Sequence, residues 1–188
     1  PVAEYLSRSE IEGLDVAGGY AYLSMRGGAN PGGLEIVEIN AAPHSVGFLP
    51  IFIATGVRVS GNYAYLAASD NNLGSGLFIV DITDPTAPFL VSVFPTLDVP
   101  AKVALFQNNA FLASTFGGVY AIDVSDPYQP VEAAYYPAEI AVGVQVENGL
   151  IYLANGGYGF NILGLTGIDF PPVYNLCGEV RDFYGSPV

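Results

Sequence analysis

Histidine, cysteine and lysine each occur once in this chain, as His44, Cys177 and Lys102, and charged residues make up only 12% of it. A lone cysteine closes no disulfide within the chain and carries almost no information about compartment. One histidine and one cysteine are too few for a zinc centre. They could be paired on paper as base and nucleophile, but nothing in their spacing supports that, and no orienting third group stands out. His44, beside Pro43, therefore reads as a loop residue, and Cys177 as a buried or half-buried thiol. Positive charge is almost missing: Lys102, Arg8, Arg26, Arg58 and Arg181 face 18 acidic residues, for a net charge of −13. That field repels polyanions and no basic stripe opposes it, which excludes nucleic-acid binding and disfavours adsorption to anionic lipid. The longest apolar stretch, about residues 47–55, is too short for a membrane helix and contains Pro50, so no membrane insertion is expected. No signal peptide is visible, and a start at Pro1 fits a processed form or a piece of something longer. Long segments of 3.6-residue periodicity are absent as well, and glycine and proline interrupt the chain too often for helices. Gly27-Gly28 and Gly32-Gly33 flank a loop and open no helix, so they form no phosphate cradle.

What is present is a repeat. An aromatic-Leu or Ile/Tyr-Leu strand recurs at Gly19-Tyr20-Ala21-Tyr22-Leu23, Asn62-Tyr63-Ala64-Tyr65-Leu66, Asn109-Ala110-Phe111-Leu112 and Leu150-Ile151-Tyr152-Leu153. A Gly-led strand follows each: GLEIVEI from Gly33, GLFIVDI from Gly76, GVYAIDV from Gly118 and GFNILGL from Gly159. The four glycines are about 42 residues apart, a period typical of propeller blades. The second copy reads as strands over 57–60, 63–68, 77–82 and 89–94. Gly61-Asn62 turns the first pair, and Asp84-Pro85 with Pro88 ends the ladder before the last strand, since proline has no N–H to give. The third copy repeats this with Ser125-Asp126-Pro127 and Pro130. The link between the second and third strands is long in the first two copies (26–32, 69–75) and short in the last two (114–117, 155–158).

The third strand is apolar on both faces. In GLFIVDI, Leu77 and Ile79 point one way and Phe78, Val80 and Ile82 the other. A strand that is dry on both sides needs a sheet against each side, which radially stacked blades provide. The expected fold is therefore all-β, a β-propeller of four-stranded antiparallel blades. About four blades lie in this chain, over residues 11–55, 56–98, 99–138 and 139–180, within a single domain 1–188.

GLFIVDITDPTAP preceded by GVRVSGNYAYLA resembles the LVIVD repeat, a bacterial and archaeal β-propeller unit, and GVYAIDVSDPYQP is similar to it as well. In the first copy GLEIVEINAAP lacks the Asp-Pro. In the fourth, Gly164 replaces the acidic residue, and the turn becomes Thr166-Gly167-Ile168-Asp169. The resemblance runs over about residues 2–165. It implies the propeller fold and a surface-exposed or secreted protein, and it implies no particular activity.

Four blades leave closure open. Residues 1–10, and 2–6 in particular, sit where the fourth strand of a preceding unit would lie and could close a small ring. The same placement fits part of a ring of seven or eight blades, or two chains completing one ring. The tail 166–188 could complete the last blade or dock on a partner. So few charges, against about 25% in an average soluble domain, suggest that part of the surface is covered by further blades or partner subunits. A monomer with a Ser/Asn/Gly/Tyr-rich surface is the alternative.

Candidate chemistry is sparse. Glu38, Asp81 and Asp123 share one place in three copies. They could form a carboxylate ring for a cation, but Gly164 breaks that ring, and each is expected to accept N–H groups of the following turn. Asp70, Asn71 and Asn72 bring oxygens together in a way that suits Ca²⁺, yet the spacing is not that of an EF-hand, and a polar turn is the expected reading. Beyond that Ca²⁺ candidate no cofactor is expected. No glycosidase-like carboxylate pair stands out among the scattered acids. Tyr128, Tyr135 and Tyr136 cluster, with one of the adjacent pair expected in the core. Tyr158 and Tyr184 are candidate contact residues for sugars or a partner protein. The expected function is a non-enzymatic interaction or structural module, outside the cell or on its surface, that binds a protein partner or itself. A glycan-binding lectin or a hydrolase using one face of the ring is the alternative.

Overall fold

The computed structural model describes residues 3–164. These residues form fifteen strands and one short 3-10 turn, Gly156–Tyr158, with no α-helix among them. The strands fall into four successive meanders, each strand pairing antiparallel with the next. The first blade is β1 (Glu10–Ala17), β2 (Tyr20–Arg26), β3 (Gly33–Glu38) and β4 (His44–Pro50). The second is β5 (Ile53–Ser60), β6 (Tyr63–Asp70), β7 (Gly74–Asp81) and β8 (Phe89–Thr96). The third is β9 (Pro100–Phe106), β10 (Asn109–Ser114), β11 (Gly118–Asp123) and β12 (Val131–Tyr136). The fourth has three described strands, β13 (Gly143–Glu147), β14 (Leu150–Ala154) and β15 (Phe160–Gly164). A single pair, Arg26 with Ile53, joins the first two sheets.

The repetition extends to irregularities. In each complete blade the ladder between third and fourth strand slips at the same place, at Ile36/Val37, Ile79/Val80 and Ala121/Ile122. A bulge there bends and twists the outer strand. The leading glycine of the third strand has a geometric cause. A Cβ on Gly33, Gly76 or Gly118 would overlap the carbonyl oxygen of Leu49, Phe94 or Tyr136 on the outer strand. The side chain is missing because a neighbouring backbone occupies its space.

Packing follows the two-faced strands. Val80 and Phe78 look back at the first blade, where they are buried with Tyr22, Leu34 and Ile36. Leu77 and Ile79 look forward and are buried with Val103, Leu112 and Ile122 of the third blade. Phe111, Val119 and Ala121 in turn meet Val144, Ile151 and Leu153 of the fourth. The dry strand predicted from GLFIVDI is thus a dry strand in the fold: Leu77, Phe78, Ile79 and Val80 have no exposed surface. Each face is apolar because each has a neighbouring sheet.

Two local expectations change. The link at 69–75 is not a long loop. The ladder continues through Ser69–Ser75 and Asp70–Gly74, with the two serine hydroxyls 2.9 Å apart, leaving a tight hairpin tip. Tyr135 and Tyr136 are both exposed, because β12 is an outer strand open along its length; Tyr135 still rests against Tyr120, with ring centres 5.0 Å apart.

Candidate functional site

The first strands of successive blades pack side by side, β1 on β5, β5 on β9 and β9 on β13. One position faces the neighbour in each. It is glycine in three blades (Gly13, Gly56, Gly143) and Lys102 in the third, all paired with equivalent residues of the second strand. The Lys102 stem fills the gap the glycines leave. Its Nζ donates to the carbonyl oxygens of Thr55 at 2.6 Å and Glu12 at 2.8 Å. The Thr55 hydroxyl is buried, within 2.6 Å of the Pro100 carbonyl and 3.0 Å of that of Ala67. The only lysine therefore pins three blades together. Sequence reading passed over it, although in the aligned copies it stands alone against three glycines. Lys102→Met keeps the stem and removes the donors; urea unfolding is expected to show a loss of about 1.5–3 kcal/mol, the usual range for a hydrogen bond involving a charged group.

Alternation of strand direction sorts the loops onto two rims. Second-to-third-strand hairpins and the links between blades share one rim. The remaining turns share the other. The first rim carries Phe52, Leu73, Leu97, Phe116 and Tyr158, all exposed, with Leu97 at 99%, Phe116 at 77% and Tyr158 at 64%. A cleft of about 400 Å³ opens on it between Gly27–Gly32, Phe52, Asp70 and Asn71. The opposite rim holds Ile39 and Tyr128 but is dominated by Asp, Asn, Gly and Pro.

On that polar rim the carboxylates close turns. Asp81 Oδ1 accepts the Thr83 N–H at 2.8 Å, and Asp123 Oδ1 accepts that of Ser125 at 2.8 Å. Asp84 and Asp126 repeat this with Thr86 and Tyr128. Glu38 instead takes the Asn40 side chain at 3.0 Å and lies 3.5 Å from His44 Nε2. Hydrogen bonds from Thr86, side chain first, hold Asp84 below the ordinary carboxylate value, and the Ser125 N–H does the same for Asp123. A depressed folded value means that this stabilisation is full above the ordinary carboxylate pKa and is lost as pH falls through the lowered one. Asp84 is exposed and Asp123 half-buried at the strand end, both within reach of solvent screening, so the effect is small. The midpoint of thermal unfolding should fall less steeply between about pH 5 and pH 3 in Asp84→Asn/Asp123→Asn than in the parent chain.

Asp70, Asn71 and Asn72 form the tip of the β6–β7 hairpin, where Asp70 Oδ1 accepts the Asn72 N–H at 2.9 Å. No group of three or more His, Cys, Asp or Glu placed to hold a metal occurs among the described residues. Tyr158 lies exposed in the turn before β15. Tyr184, Cys177 and the tail 166–188 lie outside the described residues.

The outermost described strands at either side carry apolar residues. On the first blade, Leu23, Met25 and Val37 form a cluster with Tyr5 and Phe48. Residues 3–9 form no strand; they cross this face, leaving an apolar cleft of about 450 Å³ lined by Tyr5, Ile11, Leu23, Val37 and Ile39. Arg8 anchors them. Its Nε meets the carboxylate of Glu35 at 2.7 Å, its guanidinium sits 4.3 Å from the Phe48 ring centre, and its carbonyl accepts Asn30 Nδ2 at 2.8 Å. Glu35 is fully buried, at the place Phe78 holds in the second blade, and only a paired charge is tolerable there. Burial, and then Glu35, push the Tyr5 phenol above its usual value. On the fourth blade, Phe160 stacks on Tyr152 at 6.0 Å and is 56% exposed, with Ile162 beside it. No helix among the described residues is long and apolar enough to cross a membrane.

Residues 53–96 and 101–137 match the LVIVD repeat. These are the second and third blades. No curated protein sequence matches the chain. Among solved structures it is similar to the computationally designed Ika4 protein, with a TM-score of 0.69 at 10% identity over 88% of this chain and 98% of that one. It is similar to the computationally designed Ika8 protein, with a TM-score of 0.67 at 11% identity, over 87% of this chain but 48% of that one. It is also similar to the glutaminyl cyclase of Myxococcus xanthus, with a TM-score of 0.52 at 16% identity over 77% of this chain and 61% of the enzyme. At these identities the likeness is one of fold.

Proposed function

The chain carries LVIVD repeats of the β-propeller type, and from that premise we propose that it is a non-enzymatic interaction module that works outside the cell or on its surface by contacting protein. The single observation behind this reading is the rim bearing Phe52, Leu73, Leu97, Phe116 and Tyr158. Large apolar side chains on loop tips cost solubility and are typical of contact surfaces, while the opposite rim is kept polar. The compartment rests on the resemblance to surface and secreted propellers alone.

The rival is an enzyme or lectin, since the cyclase of similar fold is an enzyme. The rim cleft could hold a small polar ligand, but Asp70 is the single ionisable side chain among its described lining residues. No second ionisable group among them orients Asp70 or shares a proton with it, so the lining offers no catalytic constellation. The test pairs cross-linking and co-purification from the native source with a glycan array and a hydrolase panel. Expected is a protein partner captured by the parent chain and lost in Leu97→Ser/Phe116→Ser, with both panels silent. Turnover or a glycan signal, or capture indifferent to those substitutions, defeats the reading.

A further inference from the structure

The rim cleft is a preformed recess between the first two blades. Gly27, Gly28 and Gly32 line it from the β2–β3 hairpin, Phe52 from the link between blades, and Asp70 and Asn71 from the β6–β7 hairpin. Its backbone wall is fixed. The Gly27 N–H donates to the Phe52 carbonyl at 2.9 Å and the Ile51 N–H to that of Gly32 at 3.1 Å. A Cβ on Gly27 would overlap the Phe52 carbonyl oxygen, and one on Gly32 the Gly27 nitrogen. Gly28 differs: nothing lies within 4 Å of where its Cβ would stand, so its bare backbone keeps the recess open. The volume, about 400 Å³, has room for a long side chain.

The recess presents an aromatic ring and a carboxylate. Phe52 is 48% exposed. Asp70 enters no ion pair among the described residues, and the described cations are engaged elsewhere. Arg8 is held by Glu35 and Arg26 by Glu12, while Arg58 donates to the Val57 carbonyl and Lys102 to those of Glu12 and Thr55. The combination recurs one blade on. Asp98 follows the exposed Leu97, its Oδ2 accepts the N–H of the exposed Phe116, and it too has no ion-pair partner among the described residues.

A cation set against a phenyl ring beside a carboxylate gains the attraction of the ring face and a charge-assisted hydrogen bond. A neutral ligand forgoes the pull of the ring and of the surrounding charge, and an anion is repelled by a chain of net charge −13. A small free cation leaves Leu73, Leu97 and Phe116 uncovered, whereas apolar tips of this size are matched by apolar surface on a partner. Building on the interaction-module reading, we infer that the partner brings a basic, partly apolar peptide segment to this rim, and that one of its Lys or Arg side chains enters the recess beside Phe52 and Asp70.

The probes are short fluorescent peptides followed by anisotropy: alternating Lys and Leu, the same with Gln for Lys, and the same with Ser for Leu, with spermidine as the small-cation arm. The Lys-Leu peptide should bind tightest and weaken steadily as salt rises from about 50 mM to about 500 mM. Asp70→Asn should cost about tenfold or more in its affinity, the loss expected when a hydrogen bond to a charged group goes. Gly28→Leu should weaken it as much by filling the recess, with the urea midpoint unchanged, since the new side chain meets open space. Asp126→Asn removes the same charge from the opposite rim and should leave the affinity within about twofold. Equal weakening by Asp126→Asn, equal binding of the Gln-Leu peptide, of the Lys-Ser peptide or of spermidine, or indifference to Asp70→Asn each overturns the basic-segment assignment. A native partner captured by the parent chain and retained by Asp70→Asn and Gly28→Leu overturns that assignment alone. Peptide binding that depends on Asp70, with no native partner lost in Leu97→Ser/Phe116→Ser, overturns the module reading alone.

Discussion

Gly76→Val is expected to abolish cooperative folding of the second blade, at a cost above about 4 kcal/mol, in the range reserved for substitutions with a specific backbone or core lesion. The new Cβ would fall on the Phe94 carbonyl oxygen, with the Phe94 carbonyl carbon and Pro95 Cα immediately behind. Neither can yield, because Gly76 pairs with Pro95 and Leu77 with Phe94 in the ladder that holds the outer strand. The strain cannot be shed by a rotamer, since the obstacle is main chain on both sides. Gly61→Ala is the matching control. It also has positive φ, but open space surrounds its Cβ, so it should cost about 1–2 kcal/mol, the ordinary price of a left-handed residue with a side chain. Guanidinium unfolding of the two variants decides the point: equal losses would mean that close approach of the outer strand has no part in the glycine requirement.

Phe78→Ala should destabilise the chain by about 3–5 kcal/mol, as expected when a fully buried phenylalanine is cut back and its site cannot collapse. Phe78 has no exposed surface and sits among Tyr22, Leu34, Ile36, Val57 and Leu66, residues of two rigid sheets. Strand ladders on both sides prevent the walls from closing on the void. Phe116→Ala removes the same atoms from a hairpin tip and should shift stability by no more than about 0.5 kcal/mol. Urea unfolding of both variants gives the comparison; a small loss for Phe78 would mean that the first and second blades are not packed as described.

The fold was legible because its cause is written in periodicity. GLFIVDI is apolar at every position but the acid, so two-sided burial could be read without coordinates, and Leu77 through Val80 show it. The role of Asp81 and Asp123 was legible for a similar reason: an Asp followed by a turn has a local partner two residues on. Contacts between blades were not. Lys102 acts on Glu12 and Thr55, remote in sequence, and only the alignment of repeats hinted at it. Glu35 in a buried position contradicts hydrophobic patterning, and its partner Arg8 lies outside the repeat. The apolar rim was hidden because its members come from hairpins and links of different blades, and only strand alternation brings them to one side.

Every buried cluster among the described residues spans two adjacent blades at most. Lys102, which reaches from the third blade to the first, aside, cohesion therefore has a short range, like that of a row of books held upright by their immediate neighbours. A lesion in the first blade weakens the second and is scarcely felt by the fourth, and loosening starts from an end and travels inward one sheet at a time.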